Sequence, residues 1–445
     1  MDVTRRLARF ALELKPEDVP ESVRHDAKRS LINFLGCSIG GAQHETVDKL
    51  TAATVPFAGP AQASVLGRGE RLDIVNAALI NGTSSAVLDF DATQAKKTNI
   101  HPSGPAAPVC LALAEYAPVS GGDFLHAFIL GVEIECRIAN TVFGAKNPGW
   151  HVTSVCGGFG AAAAAGRVLG LDEQQLVWAF GIAANLAGGI RENYGTMVKS
   201  FAPGVAARNG LTAALMAQQG FVSDDRALEG SKGFAAAMTG VADLKALTEN
   251  FGKDFEISYN TYKAFACGIV THASVDGCIQ LRNENRLQPE RIVRVSLRVS
   301  PNTLLLTGKP EPRTGLEGKF SVYHAAAAAL IDGAAGEAQF TDKRVHDPSV
   351  IALRKCITAQ AEESIGKYEA YVSIELDDGR KLERHVEHAL GCLENPMSDN
   401  DLITKYNELV SGVFPDKQRD ELAELCWSAD TLSDAAVLAR AAVKT

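Results

Sequence analysis

Two hydrophobic rhythms divide this chain. Up to about residue 250, apolar side chains recur every three or four positions, the spacing of helices with one buried face. In PESVRHDAKRSLINFLGCSIGG, Val23, Ala27, Leu31 and Leu35 fall on one stripe. Pro20 suits the first turn of that helix, and Gly36, Gly40 and Gly41 suit its end. Segments 73–88, 105–117, 122–142, 157–170, 172–188, 204–219 and 225–238 carry the same signature. Their glycine and alanine content predicts helices that approach closely.

After about residue 255 the rhythm becomes alternation. In RIVRVSLRVSP, Val293, Val295, Leu297 and Val299 face one way and Arg294, Ser296 and Arg298 the other, which predicts a half-buried strand. AYVSIELDDGRKLERHV predicts two more strands joined by a two-residue turn at Asp378-Gly379. Helices over 320–331 and 348–359 accompany them, and helical periodicity returns in the tail. The expected fold is mostly α. An all-helical domain spans 1–260, a smaller α+β domain spans 261–390, and 391–445 returns to the helices.

A length of 445 residues exceeds a single core and agrees with two domains. The net charge of −9 argues against a general nucleic-acid or membrane-surface binder. It leaves room for a local basic pocket. Nine cysteines lie scattered without any CxxC pair, which disfavours a disulfide framework or a cysteine metal cluster. They read as buried free thiols in a reducing compartment. The N-terminal MDVTRRLARFALELKPED lacks the apolar run of a signal peptide. The alanine-rich run at 157–171 is too short to span a membrane, so a cytoplasmic protein is expected.

GGFGAAAAAG loosely matches a dinucleotide fingerprint, but no acidic residue closes a second strand after it, and close helix packing explains it better. Six other segments place polar groups among small apolar ones: LDFDATQAKKTNIHPSG, GWH, GTMVKSFAPGVAARNG, YKAFACGIVTH, KFSVYH and ENPMS. His101 precedes a helix start, where backbone N–H groups also face anions; a turn histidine making a local hydrogen bond is an equal reading. His151 stands at another helix entrance. Lys199, flanked by Met197, Val198 and Phe201, is expected to be partly buried, and a buried lysine needs an anion. Lys263 has the same character. Lys96 and Lys97 read as solvated loop charges. His324 opens an alanine-rich helix and could belong to the core, His272 could be a cap, and His385 and His388 look like exposed sheet residues. No metal-ligating set is apparent, so neither a metal nor a cofactor is expected.

In this order the six segments resemble the MmgE/PrpD family, which includes 2-methylcitrate dehydratase, cis-aconitate decarboxylase and iminodisuccinate epimerase. The resemblance covers nearly the whole chain. It implies a helical domain built from both chain ends and an inserted α+β lid. It also implies a site between the two, a homodimer, and no metal or organic cofactor. Asp89 and Thr93 match the polar residues of the family's LDFDDT motif, with Ala92 in place of its second aspartate. His101, His151, Lys199 and Lys263 match its HPS, GWH, MxK and lid-lysine positions. The loop from Asp89 to His101 is about two residues longer than in the decarboxylase branch, and His324 stands where that branch has tyrosine.

The chemistry of all three activities lies at a carbon beside a carboxylate. Developing charge must meet fixed cations and donors, and histidines must move protons. The expected catalytic set is His151 as base, His101 and His324 as acid or orienting groups, Lys199, Thr93, and Asp89 fixing a neighbouring histidine or lysine. Lys263, Arg208 and His272 are expected to bind a small anionic polycarboxylate. The sequence reading is a cofactor-independent hydro-lyase of the 2-methylcitrate type. Decarboxylation or epimerisation on the same scaffold is the alternative, and a non-catalytic polycarboxylate binder is the contrasting class.

Overall fold

The computed structural model describes residues 2–241 and 243–444. The chain divides into two compact units. One comprises residues 1–87, 91–261 and 399–445, and the other residues 88–90 and 262–398.

The first unit is helical. Its centre is the helix Val152–Leu169, whose residues 152–166 are all buried. This helix is long and apolar enough to cross a membrane by length and composition alone, but 83% of it is buried inside the protein. It packs against the helices Ser103–Tyr116, Gly121–Val142, Glu173–Leu186 and Met197–Gln218. Small residues set these distances. A Cβ on Gly204 would lie 2.1 Å from the Leu79 carbonyl oxygen, and one on Gly210 would lie 2.4 Å from the Gly158 oxygen. The GGFG segment is therefore a packing surface inside a helix. The C-terminal helix Asp399–Val410 belongs to this unit and lies on Glu21–Gly41, with Tyr406 and Leu409 over Gly36 and Gly40.

Several helices start earlier than their patterns suggest. Met197–Gln218 runs through Pro203, and Val152–Leu169 begins five residues before 157. Pro203 is the seventh residue of its helix, so it forgoes one i→i−4 hydrogen bond, to the Lys199 carbonyl, and the close packing of this helix offsets that cost. The expected helix over 225–238 shrinks to Phe234–Met238. Before it, a compact turn folds back on itself, with the Phe234 amide donating to the Ala227 carbonyl.

The second unit carries a four-stranded sheet in the order Ile357–Ala361, Ile292–Val299, Ala370–Leu376, Lys381–Val386. The first pair is parallel and the others are antiparallel. The helices His272–Asn285 and Val322–Asp332 pack together, and the former covers the last two strands. Three details differ from the pattern. Val293 is 56% exposed, because a bulge between Ile292 and Arg294 shifts the register by one residue and turns it outward. The hairpin loop holds three residues, Asp377 to Gly379, with Gly379 at φ +85°, as in a type I turn closed by a left-handed residue. The helix expected over 348–359 ends at Lys355, and the β-branched pair Ile357-Thr358 opens a strand instead.

Candidate active site

In the first unit, polar groups gather at the N-termini of three mutually packed helices. His101 precedes Ser103–Tyr116, His151 is the N-cap of Val152–Leu169, and Lys199 lies in the first turn of Met197–Gln218. These ends carry unpaired N–H groups and the positive end of each helix dipole, so together they favour an anion.

His101 is held on two sides. Its backbone N–H donates to Thr153 Oγ1 at 3.0 Å. Its Nδ1 lies 3.0 Å from Asp91 Oδ2 and 3.0 Å from the Ala92 carbonyl, with Thr93 Oγ1 at 3.4 Å. Both close partners are acceptors, so Nδ1 carries the hydrogen and Nε2 presents its lone pair. Asp91 is buried, and together the two make a carboxylate–histidine dyad.

The loop that delivers them is a short hairpin. Thr93-Gln94 pairs with Asn260-Thr261, and Gln94 also pairs with Ile100. Lys96 at its tip is no solvated charge. Its Nζ lies 3.0 Å from Asp254 and 3.2 Å from Glu256, above the ring of Tyr259. Glu256 is itself buried and accepts from Gln94 and Asn140. The tip of this loop is thus anchored within the helical unit.

His151 is arranged the opposite way. The Ser154 backbone N–H donates to its Nδ1 at 3.3 Å, so the neutral ring carries its hydrogen on Nε2. That Nε2 is buried and has no hydrogen-bond partner among the described residues. Tyr194 stands edge-on to the ring, with centroids 5.3 Å apart. Burial, then the neighbouring charges of Lys199 and His101, push the His151 pKa down to about 3. The backbone before it pairs with 189–191. Gly189, at φ +130°, is needed there because a Cβ would strike Ser154 Oγ at 2.5 Å. Lys199 is buried, a costly place for a cation at the positive end of a helix.

Of the remaining expected residues, Asp89, Lys263, His272 and His324 belong to the second unit. In the second unit, Lys263 Nζ donates to the Asp89 carbonyl at 2.7 Å and pairs with its carboxylate at 3.0 Å. Asp89 adopts φ +53°, a left-handed conformation that aspartate tolerates. Buried Lys319 donates to the Leu88 carbonyl and to Glu337. His272 opens its helix, buried, edge-on to Phe265. His324 is fully buried. Its ring lies against Phe340, and its Nε2 is 2.9 Å from the Gln339 carbonyl. Burial lowers its pKa to about 4. This is the setting of a core histidine rather than of a catalytic acid. Arg208, half-buried on Met197–Gln218, reaches the Asn209 side chain at 3.4 Å.

The sequence reading missed Asp91, Tyr194 and Thr153. Asp91 was legible in principle as the second carboxylate of LDFD, two residues beyond Asp89. The other two carried no signal apart from their neighbours in space. The absence of any metal-ligating set also needs correction. His388, Cys392 and Glu394 of the second unit bring their donor atoms within 4.8 Å of one another.

Comparison with known proteins fits this geometry. Residues 5–247 match the MmgE/PrpD N-terminal domain, and residues 265–429 match the MmgE/PrpD C-terminal domain. The chain belongs to the MmgE/PrpD family. Its curated relatives include the cis-aconitate decarboxylase of Aspergillus terreus, 29% identical over 97% of this chain and 94% of the relative. The cis-aconitate decarboxylases of Mus musculus and Homo sapiens are 28% and 27% identical, each over 98% of this chain and 93% of the relative. In this MmgE/PrpD protein, His151 and Lys199 stand at two packed helix starts.

Proposed function

We propose that this MmgE/PrpD protein is a lyase that removes CO2 from a small unsaturated tricarboxylate of the cis-aconitate type. The relatives favour this reading over the dehydration of 2-methylcitrate expected from the sequence. The observation that carries it is the His101–Asp91 dyad beside a neutral, donor-presenting His151 and a buried Lys199.

When the carbon–carbon bond to the departing carboxylate breaks, its electron pair moves into the adjoining double bond. Charge then builds on the carbon beside a remaining carboxylate, and a proton must be added there. His101, protonated at Nε2, delivers that proton, while Asp91 stays ionised and keeps Nδ1–H in place. One carbon–carbon bond breaks, one carbon–hydrogen bond forms, and CO2 leaves. Lys199 and the three helix ends supply fixed positive charge to the developing anion. His151 donates Nε2–H to a substrate carboxylate oxygen. Its depressed pKa makes it a neutral donor at any physiological pH, and a poor base. The proton-transfer role expected of His151 therefore passes to His101, whose Nε2 takes up a solvent proton before it delivers that proton to carbon.

The test is incubation with cis-aconitate, citrate and 2-methylcitrate, following CO2 release and the loss of each acid. Consumption of cis-aconitate with stoichiometric CO2 supports the reading. Turnover of 2-methylcitrate without CO2, with cis-aconitate untouched, would restore the hydro-lyase reading.

A further inference from the structure

Beyond the last strand of the second unit the chain makes a tight loop, EHALGCLEN, residues 387–395. We propose that this loop is a binding site for a thiophilic divalent cation of the zinc class, with His388, Cys392 and Glu394 as its protein ligands. Their donor atoms, one nitrogen, one sulfur and one carboxylate oxygen, all lie within 4.8 Å of one another. In a tetrahedral zinc site with bonds of about 2.0–2.3 Å, donors stand roughly 3.5 Å apart, so small side-chain rotations close the set. His388 Nδ1 and Glu394 Oε2 are already 3.8 Å apart.

Two features make this more than a chance gathering of surface groups. The backbone holds the three residues in place. The Gly391 N–H donates to the Asn395 carbonyl, Asn395 Nδ2 donates to the His388 carbonyl, and the Leu390 N–H is anchored on buried Asp276. Gly391 sits at φ +93°, where a Cβ would meet the Tyr262 carbonyl oxygen at 2.2 Å. The other ring nitrogen of His388 then faces a second carboxylate, Glu387, at 3.8 Å. A carboxylate behind the free nitrogen is the usual outer partner of a metal-binding imidazole, because it fixes the tautomer that leaves the inner nitrogen open.

Sulfur and imidazole donors select zinc-class ions over magnesium or calcium. Three protein ligands leave the fourth position to water. His388 and Glu394 are about half exposed, so the ion exchanges with solvent. Its role is to clasp the loop, and none of its ligands belongs to the His101–His151–Lys199 group.

The experiment titrates the full-length, reduced, chelator-stripped protein with cobalt(II), whose bond to a thiolate gives a near-ultraviolet charge-transfer band. One equivalent is expected to produce that band, and zinc to abolish it. Cys392→Ser should remove it, and Cys356→Ser, at the other partly exposed thiol outside this loop, should keep it. His388→Ala and Glu394→Gln should each weaken cobalt binding by about tenfold or more. Zinc should raise the melting temperature of the parent and leave that of Cys392→Ser unmoved. No charge-transfer band in tenfold cobalt excess, or a band that survives Cys392→Ser, or full affinity in His388→Ala, would overturn the assignment.

Discussion

At the scale of single residues, two histidines a short distance apart are set to opposite tasks by what touches Nδ1. Acceptors on His101 leave a lone pair at Nε2, and a backbone donor on His151 leaves a hydrogen there. Asp91→Asn should therefore lower kcat/KM by about 10²–10⁴ with little change in melting temperature, because it disturbs the His101 tautomer. His151→Ala and Lys199→Ala should each cost about 10²–10³, the effect of losing one donor or fixed charge. His151→Gln, which can still donate a hydrogen bond, should recover part of that loss; equal damage from Ala and Gln would argue that His151 moves a proton. Lys96→Ala should destabilise by about 1–3 kcal/mol through its lost charged hydrogen bonds, read by thermal melting, and should harm turnover far less than Lys199→Ala. Sequence alone places His101 and His151 at helix entrances and predicts partial burial of Lys199 among apolar neighbours, but not its place inside a helix, whose pattern starts only at residue 204. It could not show that Lys96 is anchored, since Asp254 and Glu256 lie about 160 residues away along the chain.

Among the helices and strands, the small residues decide the architecture. Gly210→Val should destabilise by about 3 kcal/mol or prevent folding, because the added atoms overlap Ala161 and the Gly158 carbonyl. Gly379→Ala at the hairpin should cost only about 1–2 kcal/mol, the price of a left-handed alanine. Urea melts of the two variants check both values. Helix existence was legible from the repeat of apolar positions at three and four. Helix starts were less so, because Pro203 and the glycines at 157–160 read as breaks in a chain whose tertiary packing tolerates them. The start of the strand Ile357–Ala361, residues 357–359, was read as the end of a helix because its apolar run is short and the parallel partner that selects a strand, Ile292–Val299, is distant in sequence.

For the molecule as a whole, histidines buried without charge tie stability to pH. His151 falls to about 3, and His126 and His324 to about 4, mainly through burial. Unfolding returns them to an ordinary value near 6.5, so between pH 6.5 and 4 the unfolded chain binds more protons. The share of stability carried by these rings should be fully present above about pH 6.5 and fall as the pH drops toward 4, while buried Glu133, raised to about 7, and Glu135, raised well above the usual carboxylate range, act in the opposite direction. His324→Gln should flatten the acid fall of the melting temperature relative to the parent; an unchanged acid slope would contradict the uncharged burial of that ring. The strands of the second unit were legible in the switch from a repeat of three or four to a repeat of two. The inclusion of residues 88–90 in the second unit was not, because it rests on Lys263 and Lys319 reaching back about 175 and 230 residues.

On the proposed reading, the His101–Asp91 pair returns a solvent proton to carbon after CO2 departs. Proton NMR of the full-length protein turning over cis-aconitate in D2O tests it most directly. The account predicts an unsaturated dicarboxylate carrying one deuterium on the methylene beside a carboxylate, formed at least about a hundredfold more slowly by Asp91→Asn. Product without deuterium, or an Asp91→Asn variant as fast as the parent, would contradict it.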